Sequence, residues 1–129
     1  MPDRVVDAAN AAREHAYAPY SGFKVGAAIE TDDGRVFAGT NVENASFGVT
    51  VCAERVALGV AISSGARRFV RIVVVTDASP ASAPCGTCRQ ALAEFGPDLV
   101  VVAVGRTGER RWTLRELLPD SFGPSDLKG

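Results

Sequence analysis

The sequence contains only three cysteines and one histidine among its 129 residues, and it has no excess of either charge. Three thiols cannot all pair with one another, so a disulfide framework is excluded, and a chain of this length can bury a core without one. The 15 acidic and 14 basic residues give a formal net charge of −1. That balance lacks the electrostatic footprint of a protein that binds nucleic acid or a membrane surface, so we expect neither partner.

Long apolar runs are also missing. Residues 69–75 are mostly β-branched, but Arg71 interrupts them and they are too few to span a bilayer. The charges of Asp3, Arg4 and Asp7 stand where a signal peptide needs an apolar core, and an odd set of cysteines fits a reducing compartment. We therefore expect a cytoplasmic protein. Because no repeat, low-complexity segment or interior linker divides the chain, residues 1–129 are predicted to form one domain.

Hydrophobic periodicity predicts helices that alternate with strands. The predicted helices cover residues 4–17, 52–63, 86–95 and 113–118, and the predicted strands cover 23–31, 35–41, 70–76 and 99–104, with a hairpin turn at 32–34. The strand at 70–76 is predicted to be buried on both faces. Alternating strands and helices favour parallel crossovers, whereas the hairpin adds an antiparallel pair. The predicted fold is therefore α/β, with three layers, α/β/α, around a mixed, mainly five-stranded sheet.

The three cysteines lie at the predicted starts of two helices. Cys52 opens one helix, and Cys85 and Cys88 lie three residues apart in the first turn of another, where both sulfurs share one side. Helix N-termini favour thiolate over thiol. Three thiolates can bind Zn²⁺ and leave the fourth position to water, as catalytic zinc sites do. Glu54 stands two residues after Cys52, where a proton carrier for that water is needed.

Other uses of these cysteines are open at this point. A redox C-x-x-C pair would leave Cys52 without a role, and each cysteine alone could be a buried core residue. A structural zinc needs a fourth ligand, and the single histidine, His15, lies outside any ligand-spaced cluster. Zn²⁺ with three thiolates carries a charge of −1, which a cation behind the ligands would offset. Arg55, next to Glu54, is predicted to be that cation.

Two segments resemble the signature of zinc-dependent nucleobase deaminases in its three-cysteine form, namely Cys52-Ala53-Glu54 and Pro84-Cys85-Gly86-Thr87-Cys88. Residues 18–28, 41–45 and 116–119, with the following Phe122, further resemble blocks of the small, homotetrameric cytidine deaminases, so the resemblance covers essentially the whole chain. It implies one Zn²⁺ per subunit held by the three cysteines, a homotetramer, and a small nucleoside as substrate. The implied reaction is the hydrolytic deamination of cytidine and deoxycytidine to uridine and deoxyuridine, as in pyrimidine salvage.

The resemblance also implies roles for individual residues. Glu54 takes a proton from the attacking water, passes it to N3 of the pyrimidine and then protonates the departing ammonia. Asn41 and Glu43 hydrogen-bond the ribose 3′-hydroxyl, because an amide and a carboxylate together satisfy its donor and its acceptor. Phe23 packs against the base, and the backbone N–H of Ala53 donates to the carbonyl oxygen of the pyrimidine.

Two further aromatic residues are expected near subunit boundaries. Phe122 resembles a C-terminal aromatic that reaches the site of a neighbouring subunit. Phe47 stands where many relatives carry tyrosine, so it keeps the packing but offers no hydroxyl. Two alternative functions are a blasticidin S-type deaminase and a zinc-stabilised binding module without catalysis. Polynucleotide editing is a weaker alternative, because the near-neutral charge and the lack of an aromatic-basic stripe argue against single-strand binding.

Overall fold

The computed structural model describes residues 3–127. The helices and strands follow one another as α1 (Arg4–Arg13), β1 (Gly26–Thr31), β2 (Val36–Thr40), a short 3-10 helix (Phe47–Val49), α2 (Ala53–Ser63), β3 (Phe69–Val75), α3 (Gly86–Ala93), β4 (Val100–Val104), β5 (Glu109–Thr113), α4 (Leu114–Leu117) and α5 (Pro124–Leu127). No helix within this described part of the chain combines the length and apolar character needed to cross a bilayer.

The five strands form one mixed sheet in the order β2-β1-β3-β4-β5. β3 and β4 are parallel, as the crossover through α3 predicts, and the other neighbouring pairs are antiparallel. Side chains alternate between the two faces of the sheet, so each face has its own core. Ala28 and Val73 pack with Val5 and Ala9 of α1 on one face. The opposite face packs against α2 and α3, which confirms the predicted three layers.

Two glycines set how closely the helices approach the sheet. A Cβ atom at Gly26 would lie 2.0 Å from the carbonyl oxygen of Ala9, so α1 crosses directly over this position. A Cβ atom at Gly39 would lie 2.6 Å from the backbone nitrogen of Ala57, so α2 also packs closely against β2. Neither position has room for a larger residue. The close packing holds the N-terminal end of α2 at a defined place beside the sheet.

Two predicted boundaries are wrong because residues distant in sequence take the backbone hydrogen bonds. α1 ends at Arg13 rather than at residue 17, since the backbone of Tyr17 pairs with Asn41 and Glu43 instead. β1 begins at Gly26 rather than at residue 23, because the Asn41 side chain occupies the carbonyl oxygen of Phe23 and the N–H of Val25. Both changes bring residues 17–25 and 41–43 together at one end of the sheet.

The C-terminal part also differs from the prediction. The sequence gives no hydrophobic alternation over Glu109, Arg110 and Arg111, yet these residues form the edge strand β5 beside β4. The 3-10 helix and α5 are likewise absent from the predicted elements.

The predicted burial of β3 on both faces is correct for only part of the strand. The prediction is wrong at Val70, which is 44% exposed, whereas Ile72 to Val75 are buried.

Candidate active site

The three cysteine sulfurs meet where the N-terminal ends of α2 and α3 lie side by side. Cys52 is the N-cap residue of α2, Cys85 is the N-cap residue of α3, and Cys88 follows within the first turn of α3. The Sγ–Sγ distance is 3.8 Å between Cys52 and Cys85 and 3.5 Å between Cys85 and Cys88. Tetrahedral Zn–S bonds of about 2.3 Å place neighbouring sulfurs about 3.8 Å apart. The three residues therefore could hold a zinc ion.

Contacts within the protein move the pKa values of Cys52 and Cys88 in opposite directions. The contact with the Cys88 thiol is the main reason that the pKa of Cys52 falls to about 5, and the Arg55 guanidinium beside the same sulfur lowers it further. This same contact, together with burial, raises the pKa of Cys88. A divalent cation between the sulfurs would remove the protons from all three, because coordinating thiols lose their protons outright. The donor set thus fits Zn²⁺, which three thiolates bind readily.

Glu54 follows in the first turn of α2 and is only 5% exposed. Burial raises the pKa of its carboxyl group, and the negative charge at Cys52 raises it further. A carboxyl group whose pKa moves towards neutrality can accept and release a proton close to the working pH. The neighbouring Ala53 is the first helical residue, so no carbonyl oxygen of α2 can accept its N–H. One buried acid and one free N–H donor therefore stand beside the sulfurs.

Arg55 lies on the protein side of the same cluster. Its Nη2 atom is 3.9 Å from the Cys52 sulfur and 3.4 Å from the carbonyl oxygen of Thr50. The contact with Cys52 raises the pKa of the guanidinium group, which therefore keeps its positive charge. Its Nε atom is buried and has no hydrogen-bond partner within residues 3–127. The guanidinium is thus placed against the sulfurs although one of its donors stays unpaired.

A cavity of about 220 Å³ opens above the sulfurs. This volume is below the range of about 300–1,000 Å³ that drug-sized ligands occupy, and so it fits a smaller molecule such as a nucleoside base with part of its sugar. Its walls are mostly apolar, and the residues that line it are Phe23, Val25, Asn41, Thr50, Val51, Cys52, Ala53, Glu54, Val74, Thr76, Ser82, Ala83 and Cys85. Besides Cys52 and Cys85, four of the predicted site residues therefore line this cavity, namely Phe23, Asn41, Ala53 and Glu54. A fifth, Arg55, lies next to it.

Asn41 and Phe23 are coupled through hydrogen bonds. Asn41 is buried, its Oδ1 atom accepts from the N–H of Val25 at 3.0 Å, and its Nδ2 atom donates to the carbonyl oxygen of Phe23 at 2.8 Å. The amide therefore fixes the segment that carries the Phe23 ring, and one N–H of Nδ2 is left for another acceptor. Asn41 has a structural function that its predicted contact with ribose did not include.

The structure does not bring Glu43, Phe47 and Phe122 into this cavity. The Glu43 carboxylate accepts hydrogen bonds from the hydroxyl and N–H of Ser21 and from the N–H of Tyr20. The Ser21 hydroxyl is the main reason that the pKa of Glu43 is lowered. Glu43 and Phe47 line a second cavity of about 350 Å³ together with Tyr20, Ser21 and Thr50.

Phe47 is 77% exposed and Phe122 is 59% exposed. The carbonyl oxygen of Phe122 accepts a hydrogen bond from Gln90 Nε2 at 2.7 Å, which attaches the C-terminal segment to α3. Both aromatic side chains therefore face outward from the subunit. Thr50 lines both cavities, so the second cavity adjoins the one above the sulfurs.

Three polar residues of the cavity wall were not predicted as site residues. Thr50, Thr76 and Ser82 line the cavity above the sulfurs. Thr76 directly follows the buried end of β3, and the carboxyl end of a parallel strand is a common place for ligand-binding residues. The end of the predicted strand could therefore have identified Thr76 from the sequence as a candidate site residue. Thr50 and Ser82 lie in loops without a motif of their own, so only the folded chain identifies them.

Comparison with known proteins agrees with this geometry. Residues 2–104 match the profile of a protein family described as the cytidine and deoxycytidylate deaminase zinc-binding region. Cytidine deaminase from Halalkalibacterium halodurans is 49% identical over 118 residues, which is 90% of this chain and 89% of that protein. Blasticidin-S deaminase from Bacillus cereus is 36% identical over 103 residues, which is 74% of each chain.

A solved structure extends the likeness to three dimensions. The crystal structure of cytidine deaminase from Burkholderia pseudomallei is 50% identical in sequence and superposes with a TM-score of 0.89, covering 95% of this chain and 100% of that chain. Sequence and structure thus agree over nearly the whole length, with the sulfurs and the buried acid inside the matched region. The chain belongs to the cytidine and deoxycytidylate deaminase family of zinc-binding proteins.

Proposed function

We propose that this protein deaminates cytidine and deoxycytidine by hydrolysis, giving uridine or deoxyuridine and ammonia. One observation carries the proposal: the sulfurs of Cys52, Cys85 and Cys88 lie within 4.8 Å of one another beside a cavity that the buried Glu54 also lines. A purely structural four-ligand site would need another nitrogen, oxygen or sulfur ligand. Within residues 3–127 the cluster has three ligand atoms, which leaves one tetrahedral position for water.

The three cysteines hold the metal, and Arg55 supports them. When bound there, Zn²⁺ lowers the pKa of a water molecule and so supplies a hydroxide nucleophile at neutral pH. Arg55 donates towards the Cys52 sulfur from 3.9 Å and withdraws negative charge from it. A less electron-rich sulfur leaves the metal a stronger Lewis acid. Arg55 therefore tunes the site without touching substrate.

Glu54 carries the protons. Its carboxylate accepts a proton from the attacking water and delivers it to N3 of the pyrimidine, which makes C4 more electrophilic. The same carboxylate then takes the second proton of the added water from the hydroxyl group on C4 and gives it to the amino group. The C4–N bond breaks, ammonia leaves, and the C4 oxygen becomes the carbonyl oxygen of the product. Burial raises the pKa of Glu54, which favours the protonated form that these deliveries require.

The cavity wall orients the base. The Phe23 ring packs against one face of the pyrimidine, and the free N–H of Ala53 donates to its O2 atom at the helix N-terminus. Asn41 keeps the Phe23 segment in place and offers its remaining Nδ2–H to the ribose. Glu43 lines the adjoining cavity, where its carboxylate receives the ribose 3′-hydroxyl beside its contacts with Ser21. The base and the sugar thus occupy two neighbouring cavities that share Thr50.

A homotetramer completes the proposal. Phe47 and Phe122 are large apolar side chains that one subunit leaves exposed, and such groups together favour burial against another copy of the chain. Phe122 would then contact a neighbour's site, and Phe47 would pack at the boundary. Multi-angle light scattering of the purified protein should give four times the chain mass, and a monomer would contradict the tetramer.

We also place the protein in the cytoplasm, since three free cysteines fit a reducing compartment.

A uridine-formation assay with metal analysis of the same sample tests the function. We expect one zinc per chain and release of ammonia from both cytidine and deoxycytidine. A parallel assay with blasticidin S separates the two kinds of deaminase, and a clear preference for blasticidin S would overturn the choice of substrate. Stoichiometric zinc without ammonia release from any pyrimidine nucleoside would instead favour a binding module.

A further inference from the structure

Arg89 makes two side-chain hydrogen bonds to carbonyl oxygens that lie far apart in sequence. Its Nε atom donates to the carbonyl oxygen of Pro84 at 2.8 Å, and its Nη1 atom donates to the carbonyl oxygen of Leu117 at 2.9 Å. Its backbone N–H also donates to the carbonyl oxygen of Cys85 at 3.0 Å. Arg89 thus connects the loop before α3 with the last residue of α4.

The loop that carries Cys85 has few other attachments near the metal centre. Residues 77–84 contain no helix or strand, and hydrogen bonds tie the loop down at Ala78 and Ala81. Within the described structure, the backbone of residues 82–85 takes part in two hydrogen bonds, at the carbonyl oxygens of Pro84 and Cys85. Arg89 donates both of them. Cys85 is also the exposed member of the three cysteines, whereas Cys88 is buried within α3. Cys85 therefore depends on its backbone for its position more than the other two.

The charge of Arg89 is directed at these carbonyl groups and not at an acid. Arg89 is half-buried, and it takes part in none of the ion pairs formed within residues 3–127. A guanidinium has five N–H donors in a rigid plane, so it can hold two separate acceptors in one fixed geometry. Hydrogen bonds from a charged donor are also stronger than neutral ones. Lysine, with one flexible ammonium group, cannot reproduce the arrangement.

We propose that Arg89 is a positioning residue that fixes the Pro84–Cys85 peptide against α4 and so keeps the Cys85 sulfur within binding distance of the metal. The inference rests on the zinc site of the proposed function and extends it to a residue that does not itself contact the sulfurs. Arg55 and Arg89 therefore support the site in different ways. Arg55 balances the negative charge of the Cys52 sulfur, whereas Arg89 holds the backbone at Pro84 in position.

The rate of zinc release tests this inference directly. Zinc-loaded protein is mixed with a chromogenic zinc chelator, and the melting temperature of the loaded protein is recorded alongside. We expect Arg89→Met to release zinc about 10- to 100-fold faster, which matches the loss of metal affinity that follows removal of outer contacts of metal ligands. Arg89→Lys keeps the positive charge but can reach only one of the two carbonyl oxygens, so it should release zinc at an intermediate rate.

Gln90→Met is the matched control. It removes a side-chain donor from the same helix, but that donor bonds the carbonyl oxygen of Phe122 and not the loop before α3, so zinc release should stay at the parent rate. A parent-like rate in Arg89→Met, or equal acceleration in Arg89→Met and Gln90→Met, would overturn the inference. If Arg89→Met does not fold, Arg89→Gln replaces it under the same criteria. A parent protein that holds no zinc would instead count against the proposed function.

Discussion

The N-terminal ends of α2 and α3 both begin with a cysteine N-cap residue, yet their surroundings differ. At α2, Glu54 is buried and Arg55 faces the Cys52 sulfur. At α3, Cys85 is exposed, and Arg89 reaches back to a carbonyl oxygen instead of a sulfur. Neither cysteine caps its helix with a side-chain hydrogen bond. Under the proposed function, α2 would supply the proton chemistry, and α3 would supply two ligands together with the backbone that holds them.

Removal of the metal should have the largest effect, because both helix ends depend on it. Protein stripped of zinc by a chelator should lose deamination activity entirely and regain it when Zn²⁺ is added back. Cys88→Ala should lose activity as well, but added Zn²⁺ should not restore it, since two sulfurs remain. Metal content and uridine formation are measured on the same samples. Full activity in the zinc-free protein would contradict the proposed role of the metal.

Replacement of the buried acid separates the chemistry of α2 from metal binding. Glu54→Gln should lower kcat by about 10²- to 10⁴-fold, the usual contribution of a general acid–base group, while zinc content stays at the parent level. Glu94→Gln makes the same change at an exposed position just after α3 and should leave kcat unchanged. Steady-state kinetics and metal analysis give both values. Nearly normal kcat in Glu54→Gln would show that another group moves the protons.

Loss of the cation beside Cys52 should have an intermediate effect. Arg55→Met should reduce kcat or zinc affinity by about tenfold, because the negative charge on the sulfur is no longer balanced. Arg55→Lys keeps the charge and should recover part of the loss. The measurement is kcat with the zinc dissociation constant, since a merely structural change would lower the melting temperature without moving either. If kcat and the zinc dissociation constant stay unchanged in Arg55→Met, Arg55 does not act on the charge of the Cys52 sulfur, and the proposed difference between Arg55 and Arg89 is wrong.

The start of α1 provides a reference helix end without metal chemistry. Asp3 caps α1 through the N–H groups of Val5 and Val6. The hydrogen bond from Arg71 is the main reason that the pKa of Asp3 falls to about 2. A depressed pKa stabilises the fold above the unfolded pKa of an aspartate and loses that contribution as the pH falls towards 2.

Asp3→Asn keeps a good cap but removes the charge, so it isolates the ion pair. The variant should lose about 1 kcal/mol of unfolding free energy at pH 7, a value reduced for the partial exposure of the pair, and the difference should shrink as the pH falls from about 4 to 2. Urea unfolding at several pH values measures it. Deamination should not change, because α1 lies on the face of the sheet opposite to α2 and α3. A difference in stability that is as large at pH 2 as at pH 7 would contradict the ion-pair explanation.

Much of the site could be predicted because its signals are local. The spacing of Cys85 and Cys88 and the offset of Glu54 from Cys52 predict their relation within a helical turn, and the predicted fold class, family and zinc are confirmed. The individual substrate contacts stay predictions. The partners of Glu43 were not predictable, since the Ser21 hydroxyl lies 22 residues away in sequence and no pattern links them.

The sequence by itself determined the chemistry: which residues can bind zinc, which acid can carry a proton, and that helices begin at both cysteine segments. Local helix geometry is sufficient for each of these. Only the tertiary structure decided that Cys52 and Cys85, 33 residues apart, meet at 3.8 Å, and that Arg89 connects Pro84 to Leu117. Such contacts depend on how strands pair and how closely helices pack on the sheet. Those long-range energies involve the whole chain, and no short segment contains them.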